Sequence, residues 1–169
     1  WWGWAQPGER GSRRKKHSRP TDGKECSGPL ERVSPGHRYQ SDVAEFTFQT
    51  VPYNRDHEGN WRSALYAILE GASYALEISR DDIDGTLSWT PDHRRSIVLY
   101  DTVPGGAGAA RKIAQNVGHV METAVTRVKS CDCGEETSCY GCLRTYGNAR
   151  YHEQLSRRGA LDLLTLGTG

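Results

Sequence analysis

The chain lacks an apolar run long enough to cross a bilayer, and it shows no secretory leader. A soluble, cytoplasmic protein with no membrane partner is therefore expected. No initiator Met is present: the chain begins at Trp1 and its one Met is Met121, so we expect a fragment of a longer product or a mis-started reading frame. Hydrophobic residues are scarce for a globular protein, at 36%, so part of the chain is expected to stay outside a packed core. There is no Gly-x4-Gly-Lys-Ser/Thr loop and no acidic Mg-binding box, so this chain is not expected to hydrolyse ATP or to be an enzyme. Internal repeats are absent as well.

What is present fits one domain plus an arm. A chain of 169 residues suits one domain with a real core. The net charge of +1 hides an asymmetry: residues 1–40 hold nine Lys/Arg against four Asp/Glu, and residues 41–142 hold nine against fifteen. The basic excess is the run Arg10–Arg19, with Arg13, Arg14, Lys15 and Lys16 at its centre. Such a run reads as a solvated arm or as a contact to nucleic acid. Turn signals at "QPGERG", "PTDG" and "SPGH" predict little regular structure over 1–37.

From residue 38 the periodicity changes. "DVAEFTFQTV" alternates Ala44, Phe46 and Phe48 against Val43, Glu45, Thr47 and Gln49, as a half-buried strand does. "WRSALYAILEGASYALEI" places Trp61, Leu65, Ile68, Leu69 and Ala72 on one helical face. "DDIDGTLSW" and "SIVLYD" read as two further strands, with Trp89 and Tyr100 as core. "TVPGGAG" is a sharp loop leading into a helix over 107–128, whose apolar face is Ile113, Val117, Val120, Ala124 and Val128. A last helix over 143–166 closes the chain. The expected class is α+β: a small mixed sheet flanked by helices.

Four of the five cysteines fall within twelve residues, "CDCGEETSCYGC". Thiols this dense in a chain without a leader favour metal over disulfide. Zinc takes four soft ligands in a tetrahedron, and two close cysteine pairs supply them: Cys131 with Cys133, and Cys139 with Cys142. Gly134 and Gly141 are expected where the chain turns tightly. Four thiolates leave no open coordination position, so such a zinc is structural. An iron–sulfur cluster, or a redox pair at Cys139 and Cys142, are the alternatives.

The combination "LYDTVPGGAG", a helix and "CDCGEETSCYGCLRTYGNARYHEQLSRRGAL" resembles the zinc-binding domain at the C-terminus of MrfA-type superfamily-2 DNA helicases. That domain also occurs in DrmB of the DISARM phage-defence system. "GKECSGPLERVSPGHRYQSDVAEFTF" resembles the segment that precedes it, so the similarity runs over about 17–164. The resemblance implies Zn2+ held by Cys131, Cys133, Cys139 and Cys142, a domain over 38–169, and a superfamily-2 helicase or the rest of a longer helicase-associated protein as partner. It also marks Asp101, Gly105, Gly106 and Gly108 in the loop, and Arg144, Tyr146, Asn148 and His152 on the last helix, with no catalytic role attached. Relatives carry a further cysteine pair that completes a second site with the positions of His17 and Cys26. Here "WWGWAQPGERG" stands in that stretch, so 1–37 reads as a remnant of that site with His17 and Cys26 orphaned.

The remaining features each have two readings. "PGGAG" between a strand and a helix is either a phosphate cradle or a tight turn. Asn148 and His152, four apart, share a helical face, where the histidine is expected to bond a backbone carbonyl and cap the knuckle. Arg144, Arg150, Arg157 and Arg158 form either a phosphate-contacting stripe or a solvated face. Asp81, Asp84 and Asp82 read as a solvated turn. The resemblance implies a non-catalytic accessory domain that supports a helicase motor or holds DNA, in DNA repair or antiviral defence. The alternative is a zinc-stabilised protein-interaction scaffold that does not bind DNA.

Overall fold

The computed structural model describes residues 17–19, 21–26, 36, 38–48 and 50–167. The chain divides into two compact units, Trp1–Arg38 and Tyr39–Gly169. In the first, β1 (His17–Ser18) and β2 (Glu25–Cys26) pair antiparallel, with His17 opposite Cys26. Thr21, Asp22 and Gly23 make the turn: Gly23 adopts φ 69°, and the Asp22 carboxylate accepts from Lys24 N at 3.1 Å. This hairpin is regular structure where the turn signals alone predicted little. Arg13, Arg14, Lys15 and Lys16 lie outside the described residues.

The second unit is built on a three-stranded sheet ordered β3-β5-β4, where β3 is Val43–Thr47, β4 is Ile83–Trp89 and β5 is Arg95–Asp101. All its pairings are antiparallel. The register sets Ala44 against Leu99 and Phe46 against Ile97, with Gly85 and Leu87 on the far side of the same two residues. This face receives α1 (Glu58–Leu76). The approach is close because Gly85 has no side chain: a Cβ there would stand 2.5 Å from Leu65 Cδ1. Helix α1 is buried on more than its apolar stripe, since the sheet, α3 (Val117–Ser130) and α4 (Arg157–Leu164) surround it. Gly71 and Ala124 bring α1 and α3 together, and a Cβ on Gly71 would meet the Ala124 Cβ at 2.7 Å.

Three expectations about the helices and the core are corrected. The helix expected over 107–128 is two: α2 (Ala109–Gln115) and α3, broken at Asn116 with φ −123° and ψ 29°. The Asn116 side chain donates to Lys112 O at 2.8 Å, a local bond that competes with helical continuation. The break rotates Val117 out of the apolar face, leaving it 44% exposed, while Ile113, Val120, Ala124 and Val128 are buried as expected. The helix expected over 143–166 is a 3-10 segment, Tyr146–Gln154, followed by α4 and a short 3-10 turn, Thr165–Gly167. Ser156 starts α4 by accepting from Gly159 N, a cap that an unbroken helix would not contain. Trp89, expected in the core, is 59% exposed at the end of β4, with Arg95 over its ring.

Candidate metal centre

Helix α3 delivers the first cysteine. Val128 is buried against the core, Ser130 ends the helix, and Cys131 takes an extended backbone with φ −77° and ψ 135°. Two residues later Cys133 returns to the same point. A turn closed by Thr137 N to Gly134 O then brings in Cys139. Cys139 O accepts from the N–H groups of Cys142, Leu143 and Arg144, at 3.1, 3.1 and 3.0 Å, which winds the second pair into a knuckle. Backbone N–H groups also point at sulfur: Cys139 N lies 3.2 Å from Cys142 Sγ, and Gly141 N 3.3 Å from Cys139 Sγ. Cys142 and Leu143 are buried, so the knuckle is rooted in the hydrophobic core. Gly134 and Gly141 sit in tight turns as expected, but neither takes a left-handed backbone; among the described residues of this unit the positive-φ glycines are Gly105, Gly106 and Gly108.

The four sulfurs all lie within 4.8 Å of one another. Cys131 Sγ is 3.5 Å from both Cys133 Sγ and Cys139 Sγ, Cys133 Sγ is 3.7 Å from Cys142 Sγ, and Cys139 Sγ is 3.9 Å from Cys142 Sγ. A tetrahedral zinc with bonds of about 2.3 Å sets its sulfurs about 3.8 Å apart. The cluster therefore fits Zn2+. The thiols are free of disulfides. An iron–sulfur cluster would need room for a multi-atom core between the cysteines, and sulfurs in mutual contact leave none. Without metal, the Cys133 backbone N–H and neighbouring thiols lower the Cys131 pKa to about 7, while burial pushes Cys142 and Cys133 up. Metal binding must then displace protons.

Arg157 holds this loop from inside, a role that spacing did not reveal. Its Nε donates to Val128 O at 2.8 Å, its Nη2 to Lys129 O at 3.0 Å, and its Nη1 to Cys133 O. It is only 9% exposed, so this arginine is not on a phosphate-facing stripe. One guanidinium thus caps the C-terminal carbonyls of α3 and fixes the first cysteine pair, at the helix end where positive charge is favoured. Arg157 N and Arg158 N add bonds to Thr137 O and Glu135 O, both 2.9 Å. The Arg158 side chain pairs with Glu135 and Glu136 at 3.2 and 3.0 Å, so its charge is already answered. Arg144 reaches Ser138 Oγ at 3.0 Å and, more loosely, Thr137 Oγ1 and His152 O at 3.4 Å.

Asn148 and His152 meet as expected, although on a 3-10 segment. Asn148 Nδ2 donates to Leu143 O at 2.8 Å, and its Oδ1 accepts from Thr145 N at 2.8 Å. His152 Nε2 lies 3.0 Å from Thr145 O and 2.9 Å from Asn148 Oδ1. Both partners are acceptors, so Nε2 carries the proton. This network caps the strand of chain leaving the knuckle.

The glycine loop answers its own anion question. Asp101 is buried at the end of β5, and its carboxylate accepts from the N–H groups of Ala107, Gly108 (2.6 Å), Ala109 (3.2 Å) and Ala110 (2.7 Å). Burial alone would raise its pKa, but the four backbone donors outweigh it and hold the carboxyl below its ordinary value. Gly105 N and Gly106 N bond Gln40 O and Val103 O. The loop is a tight turn whose donors the chain satisfies itself, which leaves no phosphate cradle.

Comparison with known proteins finds three likenesses. Residues 64–143 match the family model of the MrfA Zn-binding domain. The chain also shares its fold with the crystal structure of the DUF1998 helicase MrfA bound to DNA, at a TM-score of 0.61 and 18% identity, over 90% of this chain and 20% of that one. A second MrfA structure, bound to DNA and AMPPNP, gives 0.56 over 89% and 19%. In sequence the chain is 26% identical to the Druantia protein DruE of Escherichia coli (strain UMEA 4076-1), over 82% of this chain and 8% of DruE. It thus corresponds to a small part of each of these relatives. No described helix is long and apolar enough to cross a membrane.

Proposed function

We propose that this chain is a non-catalytic zinc module of a longer DNA helicase, or of a helicase-associated phage-defence complex such as DISARM, that supports the motor and helps hold DNA. Cys131, Cys133, Cys139 and Cys142 bind one Zn2+. The observation that carries this reading is the closed set of four sulfurs at tetrahedral spacing, rooted in the core through Cys142 and Leu143. Such a site stabilises a fold and offers no position to water or substrate. Its place in a helicase is supported by the match to the MrfA domain and by the fold shared with MrfA, which was crystallised with DNA. Within this reading, 1–37 is a basic arm and 38–169 the zinc domain proper.

The arm matters because of where the charge sits. Residues 39–169 hold 13 Lys/Arg against 17 Asp/Glu, so the folded unit is acidic and DNA contact falls to Arg13, Arg14, Lys15, Lys16 and local surfaces. The same charge balance favours the second reading, a scaffold for protein contacts. Fluorescence anisotropy with single- and double-stranded DNA separates the two. DNA binding through phosphates weakens linearly in log–log salt, by about 0.9 per contact on duplex, and ATP leaves it unchanged. Replacing Arg13, Arg14, Lys15 and Lys16 with Ala flattens that slope. Absence of binding at low salt would support the scaffold instead.

A further inference from the structure

Tyr140 and Tyr146 are two rings that the knuckle holds in solvent, 61% and 90% exposed. Tyr140 lies between Cys139 and Cys142, so the metal loop fixes its backbone. Tyr146 opens the 3-10 segment beside the capping box of Thr145 and Asn148. Their ring centroids are 5.5 Å apart, with 46° between planes. His152, itself pinned through Nε2, meets Tyr140 edge-on at 5.5 Å.

Beside Tyr146 opens a cleft of about 560 Å³, between α1, the β4–β5 hairpin and the 3-10 segment. One wall carries Tyr151, with Arg62 3.8 Å and Arg150 4.6 Å from its ring centroid. Arg62 is answered by Glu58, at 3.0 Å from its Nε. Arg150 is exposed and has no carboxylate partner among the described residues. Asp81 and Asp84 also line the cleft, the latter in contact with the Tyr100 hydroxyl at 3.5 Å. A phosphate entering the cleft would be repelled by these carboxylates and attracted by Arg150.

Stackable rings with one guanidinium that no carboxylate answers suit an unpaired base and its phosphate. A duplex hides its base faces and cannot use the rings. We propose that Tyr146, with Tyr140 behind it and Arg150 beside it, is a stacking site for one base–phosphate unit of single-stranded DNA. This rests on the DNA-holding reading above and adds a place to it.

The test is anisotropy and 2-aminopurine quenching with the zinc-loaded full chain and a single-stranded oligonucleotide. All three side chains are exposed, and unchanged zinc content checks that each variant is folded. Tyr146→Ala weakens binding about tenfold and abolishes quenching, whereas Tyr146→Phe retains both. Arg150→Glu weakens binding a few-fold and lowers the salt slope by about 0.7, the value for one single-strand contact. Duplex affinity is the same in all variants. If the wild type binds single strands and Tyr146→Ala binds as well, the site is wrong and the DNA reading stands. Equal losses in Tyr146→Phe and Tyr146→Ala would overturn stacking. A wild type that binds no DNA overturns the reading and the site together, and a protein partner then becomes the occupant to seek.

Discussion

Two tight loops of the folded unit treat ions in opposite ways. The loop 131–142 gathers four sulfurs at the edge lengths of a zinc tetrahedron, soft donors suited to a cation from outside. The loop 101–110 gathers backbone N–H groups, and Asp101 fills it from within. A cradle binds an external ion only where the chain leaves its donors unanswered. The glycines of the second loop, at positive φ, serve the turn that wraps its own carboxylate.

The sharpest way to break this contrast is to remove one sulfur. Cys139→Ser is expected to lose the metal and the cooperative unfolding transition, since structural zinc contributes on the order of 10 kcal/mol to folding. Elemental analysis and a thermal melt check it; a variant that melts like the wild type would place the zinc outside the fold. Next in size is Arg157→Ala, which strips three carbonyls of a buried donor and should cost about 4 kcal/mol, with weaker zinc retention in a chelator competition. Arg158→Ala, on the exposed side of the same loop, should change neither.

Asp101→Asn should cost about 3 kcal/mol in a denaturant titration and leave zinc content intact. The sign with pH follows from the lowered pKa. The contribution is complete above the unfolded value of about 4 and is lost as pH falls through the still lower folded value. Wild-type stability therefore falls more steeply than that of Asp101→Asn below about pH 4. Asp101→Ala turns the second loop into the first kind: millimolar phosphate should raise the melting temperature of this variant and not that of the wild type. The smallest effect is expected at the N-terminal hairpin. Cys26→Ser should leave zinc content unchanged, because His17 and Cys26, although register partners, supply two ligands where zinc takes four.

Much of this was legible in the sequence. Alternation gave β3, the continuous apolar run gave β5, and cysteine spacing named the four residues whose sulfurs converge. Helix continuity was misread because periodicity survives a break. Ile113 and Val120 keep their phase across Asn116, although Val117 between them does not. Ser156 carried a cap signal that the apolar pattern of the last segment masked. The role of Arg157 had no local signature: its partners lie 24 to 29 residues upstream, and an arginine beside another arginine reads as surface. Asp101 was marked only through resemblance, because four backbone donors leave no trace in side-chain pattern.

The central claim is that loop 131–142 holds one zinc and that the fold depends on it. Elemental analysis of the purified chain, before and after chelation and beside an unfolding curve, tests it most directly. The expected result is one zinc per chain, with the cooperative transition lost when the metal is removed. Iron with a visible absorption band, or a cooperatively folded chain that carries no metal, would contradict it.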